Sequence, residues 1–233
     1  MSNIALLIAG GVGARMNSAI PKQFITVYDK PIIVYTLEKF QNHPAIDEIC
    51  VVCLDGWEHV LKSYAKQYNI TKLSHVTTGG MTGQESIKNG LDLLNKYYTE
   101  DSVVLIHDAI RPNISADIIS NCISTINTKG SCVVVIPCNE AMLVSSDMEC
   151  SSESYPRDLL KRTQTPQGAS LRTLLNLHQK ALTRGITNSV ATCTLMVEVG
   201  DQIFFSPGSE KNIKLTSPDD IDIFKALLRL DSK

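Results

Sequence analysis

The chain has 233 residues, 43% of them hydrophobic and 20% charged, with a formal net charge of −2. That is enough for one substantial core, so a single globular domain over residues 1–233 is expected. The near-neutral balance excludes a general attraction to nucleic acid or to an anionic membrane surface, and any affinity for phosphate has to come from locally placed cations. Seven cysteines, an odd number, sit mostly in apolar runs such as Cys50-Val51-Val52-Cys53. They read as reduced core residues of a cytoplasmic protein. Cys50 and Cys53 would point to opposite faces of a strand, which argues against a metal site there. No leader pattern appears, and no apolar run approaches the length needed to cross a bilayer.

Strand-like apolar runs fall at 4–9, 48–54, 73–77, 102–107 and 131–137. Amphipathic helical patterns lie around 31–41, 57–68, 84–97 and 115–126. Continuous runs such as Val103 to Ile106 and Val133 to Ile136 predict strands buried on both faces. This is an α/β protein with a Rossmann-like, mostly parallel twisted sheet and helices on both sides. Ligands in such a sheet sit beyond the carboxyl ends of the strands, so the loops after residues 8, 77 and 106 are the places to look. From about 138 to 165 helical periodicity disappears, predicting a protruding β-arm rather than a core element, with a partner subunit as its expected contact. Helices near 169–184 and 189–199 follow, then short strands at 202–205 and 211–215. A closing helix begins at Ser217-Pro218, an N-cap followed by proline.

The first chemical motif is Ala9-Gly10-Gly11-Val12-Gly13-Ala14-Arg15, followed after a spacer by Pro21-Lys22-Gln23-Phe24. Glycines after a strand let backbone N–H groups approach a phosphate, and Arg15 and Lys22 bring two cations. The lysine and hydroxyl residue of a P-loop are absent, and so is the third glycine of the dinucleotide fingerprint. The second motif is His107-Asp108-Ala109-Ile110-Arg111-Pro112, at a strand's carboxyl end. Asp108 suits Mg²⁺, Arg111 can pair with a phosphate or orient Asp108, and His107 reads as a structural histidine rather than a catalytic one. Three weaker motifs are Gly79-Gly80 leading to Ser86, where a base edge could be read, Gln164-Thr165-Pro166-Gln167, and Asn212-Ile213-Lys214.

These motifs, in this order over nearly the whole chain, resemble the cytidylyltransferases acting on 2-C-methyl-D-erythritol 4-phosphate and, in a sister branch, ribitol 5-phosphate. The resemblance implies the reaction of CTP with a polyol phosphate to give a CDP-polyol and pyrophosphate, with Mg²⁺, in a homodimer whose arms cross between subunits. It places CTP on Ala9, Gly10, Gly11, Gly13, Gly80, Ser86, Asp108 and Ala109. Charge stabilisation falls to Arg15, Lys22 and Lys214, and the metal to Asp108. The acceptor falls to Arg111, Thr165 and Arg157, the last reaching in from the partner subunit.

The chain also departs from the methylerythritol pattern. Gly83 stands where that branch has arginine, Glu140-Ala141 where its arm has Asp-Thr, and Val190-Ala191 where Thr-Asp is expected before the helix near 192. All of these lie on the acceptor side, so an alditol phosphate such as ribitol 5-phosphate, used for a surface polysaccharide, is the expected acceptor. Two alternatives are a sugar-1-phosphate nucleotidyltransferase and a nucleotide-binding homologue without catalysis. The first gives no account of the His-Asp-Ala and Gln-Thr-Pro-Gln motifs, and the second none for Lys22, Asp108 and Lys214 together.

Overall fold

The structure, a computed structural model, describes residues 1–11 and 20–231. In chain order, β1 (Asn3–Ala9) is followed by a 3-10 turn (Lys22–Phe24), a small hairpin of β2 (Thr26–Val27) and β3 (Lys30–Pro31), and α1 (Ile32–Gln41). Alternation then runs through β4 (Glu48–Cys53), α2 (Glu58–Gln67), β5 (Leu73–Thr78), α3 (Gly83–Leu94), β6 (Val103–Asp108), α4 (Ala116–Lys129) and β7 (Ser131–Pro137). The arm contains β8 (Met142–Val144) and β9 (Glu153–Tyr155), after which come β10 (Lys161–Ser170), α5 (Leu171–Thr183), α6 (Thr192–Glu198), β11 (Phe205–Pro207) and α7 (Pro218–Asp231).

Seven strands form one sheet in the order β11-β7-β10-β6-β1-β4-β5. The pairs β1–β4, β1–β6, β4–β5 and β7–β11 are parallel, and β10 alone runs against its neighbours β6 and β7. Burial on both faces follows the two-residue period of a strand. Ala5, Leu7, Val51, Cys53 and Leu105 pack beneath α1, α2 and α4, whereas Ile4, Leu6, Cys50, Val52 and Val104 pack beneath α3, α5 and α6. Cys50 and Cys53 therefore lie in opposite cores, as their spacing requires.

Local signals set the helix ends. The side chains of Thr82, Ser115 and Ser170 accept the backbone N–H groups of Glu85, Ile118 and Thr173 at the starts of α3, α4 and α5. Gly130 closes α4 at φ 91°, a left-handed turn open to glycine. Ser217 Oγ accepts the N–H of Asp220 at 3.3 Å, and Asp220 Oδ2 in turn accepts the N–H of Ser217 at 2.7 Å, so α7 starts at the predicted cap.

Three expectations are corrected. Residues 161–165 are not part of the arm but the first half of β10, a core strand whose polar sequence Lys-Arg-Thr-Gln-Thr conceals it. Its second half threads between β6 and β7 because Gly168 has no side chain: a Cβ there would sit 2.3 Å from the carbonyl oxygen of Val104. The predicted strand at 211–215 is an irregular segment, pinned by the bond from Leu215 N to Ile110 O (2.9 Å). The strand expected at 202–205 forms two to three residues later, as β11.

Candidate active site

The carboxyl ends of β1, β5 and β6, with the Thr163–Gln167 stretch of the antiparallel β10 beside them, open into one cleft of about 670 Å³. Two glycine turns form one of its walls. Gly79 N donates to Cys53 O (2.9 Å), and a Cβ on Gly10 would lie 3.4 Å from the Cα of Gly79, so the turns after β1 and β5 pack backbone to backbone. Ser86 Oγ, at the start of α3, accepts Gly80 N at 3.0 Å and donates to Thr82 O at 2.9 Å. That bond fixes the turn where a base edge was expected to be read. The first turn is braced by Gln23, buried in the 3-10 turn, whose amide donates to Ala9 O (2.7 Å) and Gly11 O (3.2 Å). A glutamine inside Pro-Lys-Gln-Phe was visible in the sequence, but no spacing rule revealed this role.

The floor is Asp108. Its Oδ2 accepts from Arg111 Nε at 3.0 Å and its Oδ1 from Lys214 Nζ at 3.1 Å. Burial pushes this carboxyl up, but Lys214 and then Arg111 outweigh it and hold the acid below its ordinary range. Arg111 also donates to Asn212 O (2.7 Å), so in this structure it orients Asp108 and clamps the segment leading to Lys214. Behind them, His107 is fully buried with both ring nitrogens in use, Nδ1 on Thr165 Oγ1 (2.9 Å) and Nε2 on Arg111 O (3.1 Å). Thr165 Oγ1 accepts Asp108 N (3.1 Å), so its own proton goes to Nδ1, and the neutral ring carries its hydrogen on Nε2. This is a structural histidine.

Most of the expected residues meet here. Ala9, Gly10, Gly11, Lys22, Gly80, Ser86, Asp108, Arg111, Thr165 and Lys214 all line the cleft, together with Gly83, Val190 and Ala191 on the side where the chain departs from the methylerythritol pattern. Gly13 and Arg15 lie outside the described residues. Ala109 is corrected: it does not reach the cleft. Its side chain is buried, its N–H donates to Ile8 O (3.1 Å) and its carbonyl accepts from Thr36 Oγ1 (2.8 Å), so its polar groups are engaged within the fold. Arg157 sits in the arm, donating to Asn139 O (2.9 Å), away from the cleft of its own chain. Sequence reasoning missed His178, and it named Gln164, Gln167 and Asn212 within their motifs without giving them a role; all four are polar residues buried at the cleft or behind it. Only a polar residue inside an apolar pattern could have signalled them.

Burial pushes the imidazole of His107 down to about 4. It does the same to His178 on α5, with Lys88 adding to the effect. An unfolded histidine titrates near 6.5, so as pH falls from about 6.5 toward 4 the unfolded chain takes up protons that the folded chain refuses. Stability is therefore expected to drop over that window, before most carboxylates titrate. The midpoint of urea denaturation should fall between pH 7 and pH 5, and His107→Asn should show a shallower slope. A midpoint independent of pH across that interval would refute the assignment.

A glycine-walled cleft at the carboxyl ends of parallel strands, lined by Lys22 and by Asp108 paired with Lys214, is a site suited to a nucleotidyltransferase. The comparisons carry this further. The model of the 2-C-methyl-D-erythritol 4-phosphate cytidylyltransferase (IspD) family matches residues 3–230, and the chain belongs to that family. It is similar to the ribitol-5-phosphate cytidylyltransferase of Lacticaseibacillus paracasei, at 40% identity over 97% of each chain. To the 2-C-methyl-D-erythritol 4-phosphate cytidylyltransferase of Clostridium botulinum strain Langeland it is 35% identical, again over 97% of each. Among solved structures, the 4-diphosphocytidyl-2C-methyl-D-erythritol synthase of Anaerococcus prevotii shares the fold with a TM-score of 0.80 at 21% identity, covering 98% of this chain and 96% of the other. The protein is thus an enzyme of the cytidylyltransferase family. Among the described residues no helix is long and apolar enough to cross a membrane.

Proposed function

We propose that this enzyme transfers the cytidylyl group of CTP to the phosphate of ribitol 5-phosphate, giving a CDP-alditol and pyrophosphate. The observation that carries the reading is the convergence of both glycine turns, Lys22, Asp108 and Lys214 on one cleft, although they come from five separate stretches of chain. The choice of ribitol 5-phosphate over 2-C-methyl-D-erythritol 4-phosphate is supported by relatives of the first name at 39–40% identity, against 35% for the second. The neutral Gly83, Val190 and Ala191 on the acceptor side support it as well.

In this reading an oxygen of the acceptor phosphate attacks the α-phosphorus of CTP in line with the departing pyrophosphate. The bond to the bridging oxygen breaks and its electron pair leaves on pyrophosphate. The attacking phosphate is largely ionised at neutral pH, so no general base is needed. What the reaction asks of the protein is positioning and charge neutralisation. Backbone N–H groups of the first glycine turn and Lys22 hold the triphosphate, Lys214 meets the α-phosphate, and Arg15 is assigned to the same task. Arg111 keeps Asp108 aimed into the cleft.

Among the described residues no three His, Cys, Asp or Glu side chains come together as a metal cage. Mg²⁺ in nucleotide sites takes one or two carboxylates and fills its octahedron with phosphate oxygens and water, and Asp108 fits that need. Bound there, the ion would offset charge on the α- and β-phosphates.

The arm completes the reading as a homodimer, with Arg157 delivered to the acceptor phosphate of the other subunit. Leu143 (68% exposed), Met148 (93%) and Leu159 (74%) are large apolar side chains on or beside a two-stranded ribbon, which is marginal without a partner. The pair of changes Leu143→Asp and Leu159→Asp is expected to turn a dimer into a monomer by light scattering and to lower turnover at least about tenfold. A wild-type monomer would remove the argument. The test of the function is pyrophosphate release from CTP, UTP, ATP and dTTP with a panel of polyol phosphates. Turnover with 2-C-methyl-D-erythritol 4-phosphate equal to or above that with ribitol 5-phosphate overturns the choice of acceptor. Binding of CTP with no product from any acceptor favours the non-catalytic alternative.

A further inference from the structure

One polar side chain of the cleft has no partner. His178 on α5 is only 4% exposed, its Nε2 is buried without a hydrogen bond, and yet the residue lines the cleft where α3, α5 and α6 meet over the sheet. The other polar side chains nearby are spent on the protein's own backbone. Gln84 donates to Ile186 O (2.7 Å) and accepts Ser189 N (2.9 Å), while Gln167 donates to Gln164 O (3.1 Å) and accepts Cys193 N (2.8 Å). Ile8, Ile87, Ile106 and Leu195 supply aliphatic surface. The nearest charges, Lys88 and Asp92 on α3, are paired with each other, and the imidazole keeps unused hydrogen-bonding capacity, a state in which buried polar groups are seldom left.

We propose that His178 is a specificity-determining residue of the acceptor site, its imidazole hydrogen-bonding a hydroxyl at the end of the polyol remote from the phosphate. The inference rests on the reading of the enzyme as a polyol-phosphate cytidylyltransferase. The recess adjoins Val190, Ala191 and Thr192, the side of the cleft assigned to the acceptor, and continues beneath it. Held neutral by burial, the ring offers one donor and one acceptor, which a hydroxyl can satisfy but an aliphatic end cannot.

The test compares ribitol 5-phosphate with the shorter erythritol 4-phosphate and glycerol 3-phosphate in the wild type, His178→Gln and His178→Leu. In the wild type kcat/KM should favour ribitol 5-phosphate. His178→Leu should reduce that preference about tenfold, the typical effect of one neutral hydrogen bond. The KM for CTP should stay unchanged, and His178→Gln should restore part of the preference. If His178→Leu fails to fold, His178→Phe, closer in shape to the imidazole, carries the same readout. A preference unaltered in a folded variant overturns the assignment and leaves an imidazole that is structural or water-bonded. No turnover with any polyol phosphate in the wild type overturns the acceptor reading itself, and this proposal with it.

Discussion

Replacing Lys22 with alanine is expected to lower kcat by about 100- to 1,000-fold while changing the dissociation constant for CTP by less than about tenfold. In the transition state, charge moves onto the departing pyrophosphate and the oxygens around the α-phosphorus. A cation fixed beside them stabilises that state more than the ground-state triphosphate, which water and counter-ions already serve. The backbone at Lys22 is held in place, because its neighbours Gln23 and Phe24 are buried and Gln23 is bonded to the glycine turn. Lys214→Ala should act similarly from the other side. Single-turnover kinetics separates binding from chemistry. Losses equal in CTP affinity and in turnover would show that these lysines hold only the ground state. The double variant should lose less than the sum of the two effects, since both lysines act on the same developing charge.

Asp108→Asn is expected to lower kcat/KM by about 100-fold or more and to raise the Mg²⁺ concentration for half-maximal rate at least about tenfold, because the carboxylate paired with Arg111 and Lys214 loses its charge. The change is nearly isosteric, and a native circular-dichroism spectrum of the variant separates the loss of rate from a folding defect. It also has a readout without turnover. In the parent chain Asp108 titrates below its ordinary range, so its pairing adds stability above the unfolded pKa and loses it as pH falls through the folded one. The stability gap between parent and variant should therefore be largest near neutral pH and close on acidification below pH 4. A rate that keeps the parent's Mg²⁺ dependence would remove Asp108 from the metal site.

The particular residues show how far the chain could be read. Strands β1, β4, β6 and β7 were legible because burial on both faces leaves an unbroken apolar run, a signal local to each strand. Strand β10 was hidden because half of it is polar, and its place in the sheet depends on what lies either side of it. Gly168 became meaningful only once Val104 stood 2.3 Å from where its Cβ would be. The site divides in the same way. Glycine turns, Lys22, Asp108, Thr165 and Lys214 were found as motifs along the chain, and their roles followed from the resemblance those motifs carry. That Lys214 reaches Asp108, that Ala109 is sealed by Thr36, and that His178 Nε2 lacks a partner are facts about groups far apart in sequence.

By itself, then, the sequence determined the α/β class and the family, and it picked out Lys22 and Lys214 as candidate cations, since these depend on periodicity and on residue order. Only the tertiary structure decided which of the motif residues reach the cleft and which merely support it. A hydrogen bond or a buried face is settled by the partner that the fold brings up, and the spacing of residues along one strand does not contain that partner.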